Sequence, residues 1–188
     1  MVGFPQPESE LNCIPVLHHT KKESDLLKRA QDLLKPDPYY SGKAGFVGSS
    51  MERLHDDMLR LDLPITVPKE VRLSHGAVRN TYIYSYFSYD LLTLAVSQSF
   101  PCLELALRTR IGNQFAGRVD RNGKPRPAML NELLKEAKAQ KLISADITHL
   151  GQLRNEFAHG SETVLNPALF LSAFAVVTDM IAELFIGR

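Results

Sequence analysis

Cysteine is scarce in this chain: Cys13 and Cys102 are the two in 188 residues. Thiols so far apart form no disulfide framework and no zinc-ligand cluster, which fits a reducing cytosol. An excess of charge of either sign is also missing. Lys and Arg number 22 against 21 Asp and Glu, for a formal net charge of +1. Overall charge therefore announces no polyanion partner, and any affinity for nucleic acid must come from a local patch. The first residues, Met1 to Glu8, have neither a basic start nor an apolar run, so they do not read as a secretory signal. A cytoplasmic protein is the expectation. No convincing strand pattern and no internal repeat occur. No metal-ligand cluster stands out, since His18 and His19 are adjacent rather than four apart and read as solvated. No metal or other cofactor is expected.

Helical spacing is what the sequence does have. Residues 1–20 carry Pro5, Pro7 and Pro15 and read as an irregular arm. Ser24 to Lys35 predicts a short helix with Leu26, Leu27, Ala30, Leu33 and Leu34 on one side, stopped by Pro36. The glycines at 42, 45 and 48 mimic a phosphate loop, but the Gly-Lys-Ser/Thr ending and a preceding apolar strand are lacking, so that reading is set aside. Ser50 caps a helix carrying Met51, Leu54, Met58, Leu59 and Leu61. Pro64 and Pro68 interrupt it, and an ambiguous segment leads to Asn80. The strongest block starts there, with Tyr82, Ile83, Tyr86, Phe87, Leu91, Leu94 and Ala95 at helical spacing. A helix apolar on nearly all sides is central in a bundle. Pro101 bends it or opens the next helix, which runs to about Phe115. Residues 116–127, with Gly117, Gly123, Pro125 and Pro127, form a loop. Ala128 to Lys141 is helical. Ser144 and Asp146 start a helix carrying Ile147, Leu150, Leu153 and Phe157, and Pro167 opens a last helix to about Ile186.

The expected fold is all-α: a bundle of four to five core helices over residues 80–188, with an N-terminal extension of short helices over residues 1–79, packed as one unit. Residues 165–186 approach the length of a membrane span. Asp179 and Glu183 lie four apart on one face of that stretch. Each would cost about 2.5–3.5 kcal/mol near a bilayer centre, so a buried bundle helix with one polar stripe is the cheaper arrangement.

The segment Leu153-Arg154-Asn155-Glu156-Phe157-Ala158-His159-Gly160 is the chemically richest stretch. It sets a guanidinium, a carboxamide and an imidazole within six residues near a helix end. A fixed cation can hold a phosphate while an imidazole titrating near neutral pH moves a proton. A plainer reading exists. Gly160 is a common helix stop, His159 suits the negative end of the helix dipole, and Arg154 could pair with a carboxylate on a neighbouring helix. Against it, Asn155 and His159 are four apart and share a face, offset from the Leu150, Leu153 and Phe157 stripe.

Arg154-Asn155 followed by His159 resembles the Arg-Asn-x-x-x-His signature of HEPN domains, all-α domains of which many are metal-independent ribonucleases. The order matches too: signature at a helix end, then Gly160, then an apolar last helix. Upstream, Glu104-Leu105-Ala106-Leu107-Arg108 resembles a Glu-x-x-Leu-Arg stretch of several HEPN-like groups. The resemblance covers about residues 80–186. It implies that His159 moves the proton of a ribose 2′-hydroxyl or of the leaving oxygen, that Arg154 stabilises the phosphorane, and that Asn155 orients phosphate or imidazole. It implies a homodimer with a composite cleft, and a bacterial toxin–antitoxin or phage-defence setting with an antitoxin or regulatory protein as a further partner. A HEPN-fold module without catalysis, binding nucleotide or a protein partner, is the alternative. Glu104 reads either as the partner of Arg108 or as a group that orients Arg154.

From Arg108 to Arg126 stand six cations, Arg108, Arg110, Arg118, Arg121, Lys124 and Arg126, against one carboxylate, Asp120. Four of them, Arg118, Arg121, Lys124 and Arg126, lie in the Gly/Pro loop, where they can neutralise RNA phosphates without reading sequence. A solvated loop is the plainer account. Tyr82, Tyr84, Tyr86 and Tyr89 could stack on bases, but an aromatic-rich central helix usually supplies core.

Overall fold

The computed structural model describes residues 27–40, 49–147, 150 and 166–186. Among them are five α-helices and no β-strand: α1 Met51–Leu59, α2 Lys69–Tyr84, α3 Asp90–Ile111, α4 Leu130–Ala139 and α5 Pro167–Phe185. The all-α expectation holds. One isolated bridge, Val119 with Pro125, closes a loop between α3 and α4.

Helix α1 begins where the Ser50 hydroxyl accepts the Arg53 N–H at 3.2 Å, an N-cap that satisfies one orphan donor. Its Leu54 and Met58, four apart, turn inward, whereas Leu59 faces solvent. The Pro64–Pro68 link is tied down by polar contacts. Asp62 accepts from Arg79 at 2.6 Å, and Arg72 Nε donates to the Val67 carbonyl at 3.0 Å.

Helix α2 corrects the expected helix start. It begins at Lys69, not near Asn80, and the residue 79/80 border falls in its middle. Its inner face is Val71, His75, Val78 and Tyr82. The stripe is thin and interrupted by a histidine, so its period is faint in the sequence. The expected unbroken block from Asn80 onward is also corrected: α2 ends at Tyr84 and α3 starts at Asp90. Neither Gly nor Pro lies in the turn between them. Asp37, only 3% exposed, holds the turn from outside. Its carboxylate accepts the Tyr89 N–H at 3.1 Å, and its own N–H donates to the Tyr86 carbonyl at 2.8 Å. Lys28 adds a bond to the Phe87 carbonyl.

Those same contacts explain a third correction. Within Leu27–Lys35 there is only a 3-10 turn, Ala30–Asp32, and Leu27, Leu33 and Leu34 are exposed. An isolated helix this short is marginal. The segment is anchored by Lys28 and Asp37 instead, while Asp32 spends its carboxylate on Arg29 and Lys35 at 2.7 Å each.

Helix α3 is the axis of the bundle, with ten buried residues from Leu92 to Ile111. Pro101 sits inside it on the exposed side, so the N–H it lacks is not missing from the core. Helix α5 is capped by Asn166, whose Oδ1 accepts the Leu169 N–H at 2.8 Å, and opens on Pro167 at its first turn. It is the one described helix long and apolar enough to cross a membrane, at a mean hydropathy of 1.8. Phe170, Phe174, Val177, Met180, Ile181 and Leu184 are all buried within this chain, at roughly 1.5–3 kcal/mol for each large side chain. Tyr82 stacks on Phe170 at 4.7 Å and His75 on Phe174 at 4.7 Å, so α2 and α5 run antiparallel. The core is continuous from Tyr40 to Leu184 and takes in residues on both sides of position 80.

Candidate functional site

Arg154, Asn155 and His159 lie outside the described residues. What can be placed are the elements before and after them. Ser144 donates both its N–H and its hydroxyl to the Glu183 carboxylate on α5, at 2.5 Å each. Lys138, in the last turn of α4, donates to the Ser144 and Ala145 carbonyls. The chain leading toward the motif is thereby fixed between the ends of α4 and α5.

Glu104 and Arg108 form the i,i+4 pair expected of them. Arg108 donates Nε and Nη2 to Glu104 Oε1 at 3.0 and 2.6 Å, and Nη2 also reaches the Ala128 carbonyl at 2.7 Å. The pair is partly buried and joins α3 to Ala128, two residues before α4. This is the pairing that the structural reading of Glu104 expects; the other reading, that Glu104 orients Arg154, falls on a residue outside the described ones.

The basic loop is a tight hairpin. Gly117 and Gly123 adopt φ of 77° and 74°, which other residues rarely take. Asp120 Oδ1 accepts the Asn122 and Lys124 N–H groups at 2.8 and 2.9 Å, and Arg126 N–H bonds to the Arg118 carbonyl at 2.9 Å. The four cations are not equivalent. Arg118 and Arg126 both donate to Glu132 Oε1, at 2.8 and 3.2 Å. Arg118 also lies over the Phe115 ring, 5.4 Å from its centre. Glu132 Oε2 accepts the Met129 N–H at 2.9 Å, the return half of a capping box. With Arg118 foremost among the causes, the Glu132 carboxyl is held down to about 2. Arg121 and Lys124 are exposed at the tip. One carboxylate just beyond the counted segment thus engages two of the four cations that sequence reasoning assigned to RNA, and Arg121 and Lys124 keep that role open.

Tyr82 and Tyr89 are buried, as expected of core aromatics, while Tyr84 is 59% exposed. Tyr40, Tyr82 and Tyr89 line a cavity of about 400 Å³ between α1, the α2–α3 turn and the start of α5. Tyr40 O–H donates to Ser85 Oγ at 2.6 Å, since Ser85 donates onward to the Tyr82 carbonyl. Burial raises the Tyr40 phenol to about 12, and the Tyr82 and Tyr89 phenols rise as well. All three stay neutral. Sequence reasoning missed this cavity because Tyr40, Arg53, Tyr82 and Leu171 are far apart in the chain. A second hollow, about 530 Å³, lies where α3, α4 and α5 end, beside Arg110, Lys138, Lys141 and Glu183.

Scans of the chain against protein-family models, curated proteins and solved structures each return no match.

Proposed function

We propose that the protein is a HEPN-like, metal-independent endoribonuclease. The observation that carries the reading is the Arg154-Asn155-x-x-x-His159 spacing, set between α4 and the apolar helix α5 of an all-α chain. The Glu104–Arg108 pair on α3 and the cationic tip formed by Arg121 and Lys124 support it. In this reading His159 takes the proton of a ribose 2′-hydroxyl, whose oxygen attacks the adjacent phosphorus. The P–O5′ bond breaks, and the leaving oxygen gains a proton. Arg154 stabilises the charge on the phosphorane, and Asn155 orients the phosphate. RNA is the substrate, two copies supply a composite cleft, and an antitoxin or regulatory protein in a toxin–antitoxin or phage-defence system is the further partner.

Product ends test the chemistry. Incubation of a short labelled RNA with the purified chain in the presence of a chelator is expected to leave a 2′,3′-cyclic phosphate and a 5′-hydroxyl. Products carrying a 5′-phosphate would contradict attack by the 2′-hydroxyl.

A binding module without catalysis is the second reading. The tyrosine-lined cavity favours it, because that cavity has the size range of small-molecule sites.

A further inference from the structure

The cavity between α1 and the start of α5 has walls of two kinds. Leu54, Leu171 and the buried Tyr82 and Tyr89 give it an apolar, aromatic body. Two opposite charges, Arg53 and Asp57, also line it. They stand four residues apart on α1 and so share one face. They do not pair with each other. Among the described residues the Arg53 guanidinium has no hydrogen-bond or ion-pair partner. Among the described residues Asp57 accepts the Tyr82 hydroxyl alone, at 3.2 Å, which leaves a carboxylate most of its acceptor capacity. The N-terminal ends of α1 and α5 border the same space through Ser49, Pro167 and Ala168, so the helix dipoles place the anionic end of a guest there rather than the cationic one.

We propose that this cavity binds a small zwitterion with a planar apolar body, the chemistry of a free aromatic α-amino acid. The ring lies against the half-buried Tyr39 and Leu171, the carboxylate meets Arg53, and the ammonium meets Asp57. A pure anion would face Asp57 unpaired, and a pure cation would face Arg53 unpaired. Only a guest carrying both charges satisfies both walls. The site does not depend on the ribonuclease reading, and its failure would leave that reading untouched.

The chain has no tryptophan, so indole emission reports only an added probe. Fluorescence titration of the full chain compares L-tryptophan with tryptamine, which lacks the carboxylate, and indole-3-propionate, which lacks the ammonium. L-tryptophan is expected to bind about tenfold or more tighter than either, the scale of one charge-assisted contact. In R53Q the advantage over tryptamine should vanish while that over indole-3-propionate remains. D57N should do the reverse. Arg53 is exposed and Asp57 half-buried on a capped helix, and unchanged thermal melting would confirm folding. Equal affinity for the three probes, no saturable binding, or a preference that neither variant alters would overturn the proposal.

Discussion

His75 shows how one side chain couples the core to pH. It is 1% exposed, stacked on Phe174, and its Nε2 lies 2.9 Å from Thr178 Oγ1. The Thr178 hydroxyl donates to the Phe174 carbonyl, so His75 donates to Thr178 as a neutral imidazole. Burial, aided by the nearby Arg79 charge, lowers its pKa from 6.5 to about 4. The unfolded chain therefore binds the proton more readily. This contribution to stability is complete above pH 6.5 and is lost as pH falls from there through about 4. We expect denaturant titrations to show wild type losing stability across that window relative to His75→Leu, by at most about 1.4 kcal/mol per pH unit at its centre. Parallel curves for the two proteins would contradict a neutral buried imidazole. A histidine is illegible as core in a sequence, because its polarity breaks the apolar stripe that marks a helix face. The same disguise hid the start of α2.

Elements are set as much by single polar contacts as by periodicity. The starts of α1 and α5 were readable because Ser50 and Pro167 are local signals. The α2–α3 break was not, because its cause is Asp37, 52 residues from Tyr89 along the chain. The cationic hairpin illustrates the same rule: Glu132, from the first turn of α4, engages Arg118 and Arg126. If Arg121 and Lys124 touch RNA, replacing both with Glu should weaken binding across all sequences and flatten its salt dependence. Glu132→Gln should act oppositely, freeing two cations to tighten binding and steepen the salt slope. RNA affinity measured at several salt concentrations checks both, and unchanged values would return the loop to a solvated role. Helix α4 ends in a Schellman turn, with Leu142 N–H bonded to the Ala137 carbonyl at 2.9 Å and Lys141 at φ 57° where glycine is usual. Lys141→Gly should raise stability by up to about 1 kcal/mol, read as a higher denaturant midpoint. A lower midpoint would mean that contacts of the Lys141 side chain outweigh the backbone strain.

For the whole molecule, the core from Tyr40 to Leu184 binds the N-terminal elements and the C-terminal helix together. The six large apolar residues of α5 are buried within one chain. The homodimer that the proposed ribonuclease calls for would join through other surface, and light scattering at micromolar concentration is expected to give twice the chain mass. All-α architecture was legible because helical spacing recurs over most of the chain. The proposed chemistry rests on a motif read from sequence, so its most direct test is the rate of RNA cleavage in chelator by wild type, His159→Ala and Arg154→Lys, each first shown to be folded. Wild type is expected to cut. His159→Ala should lose about 10²–10⁴-fold, the usual contribution of general acid–base catalysis. Arg154→Lys should bind RNA but cut poorly, having kept the charge and lost the planar fork. Cleavage that survives in His159→Ala, or that requires added divalent metal, would contradict the mechanism.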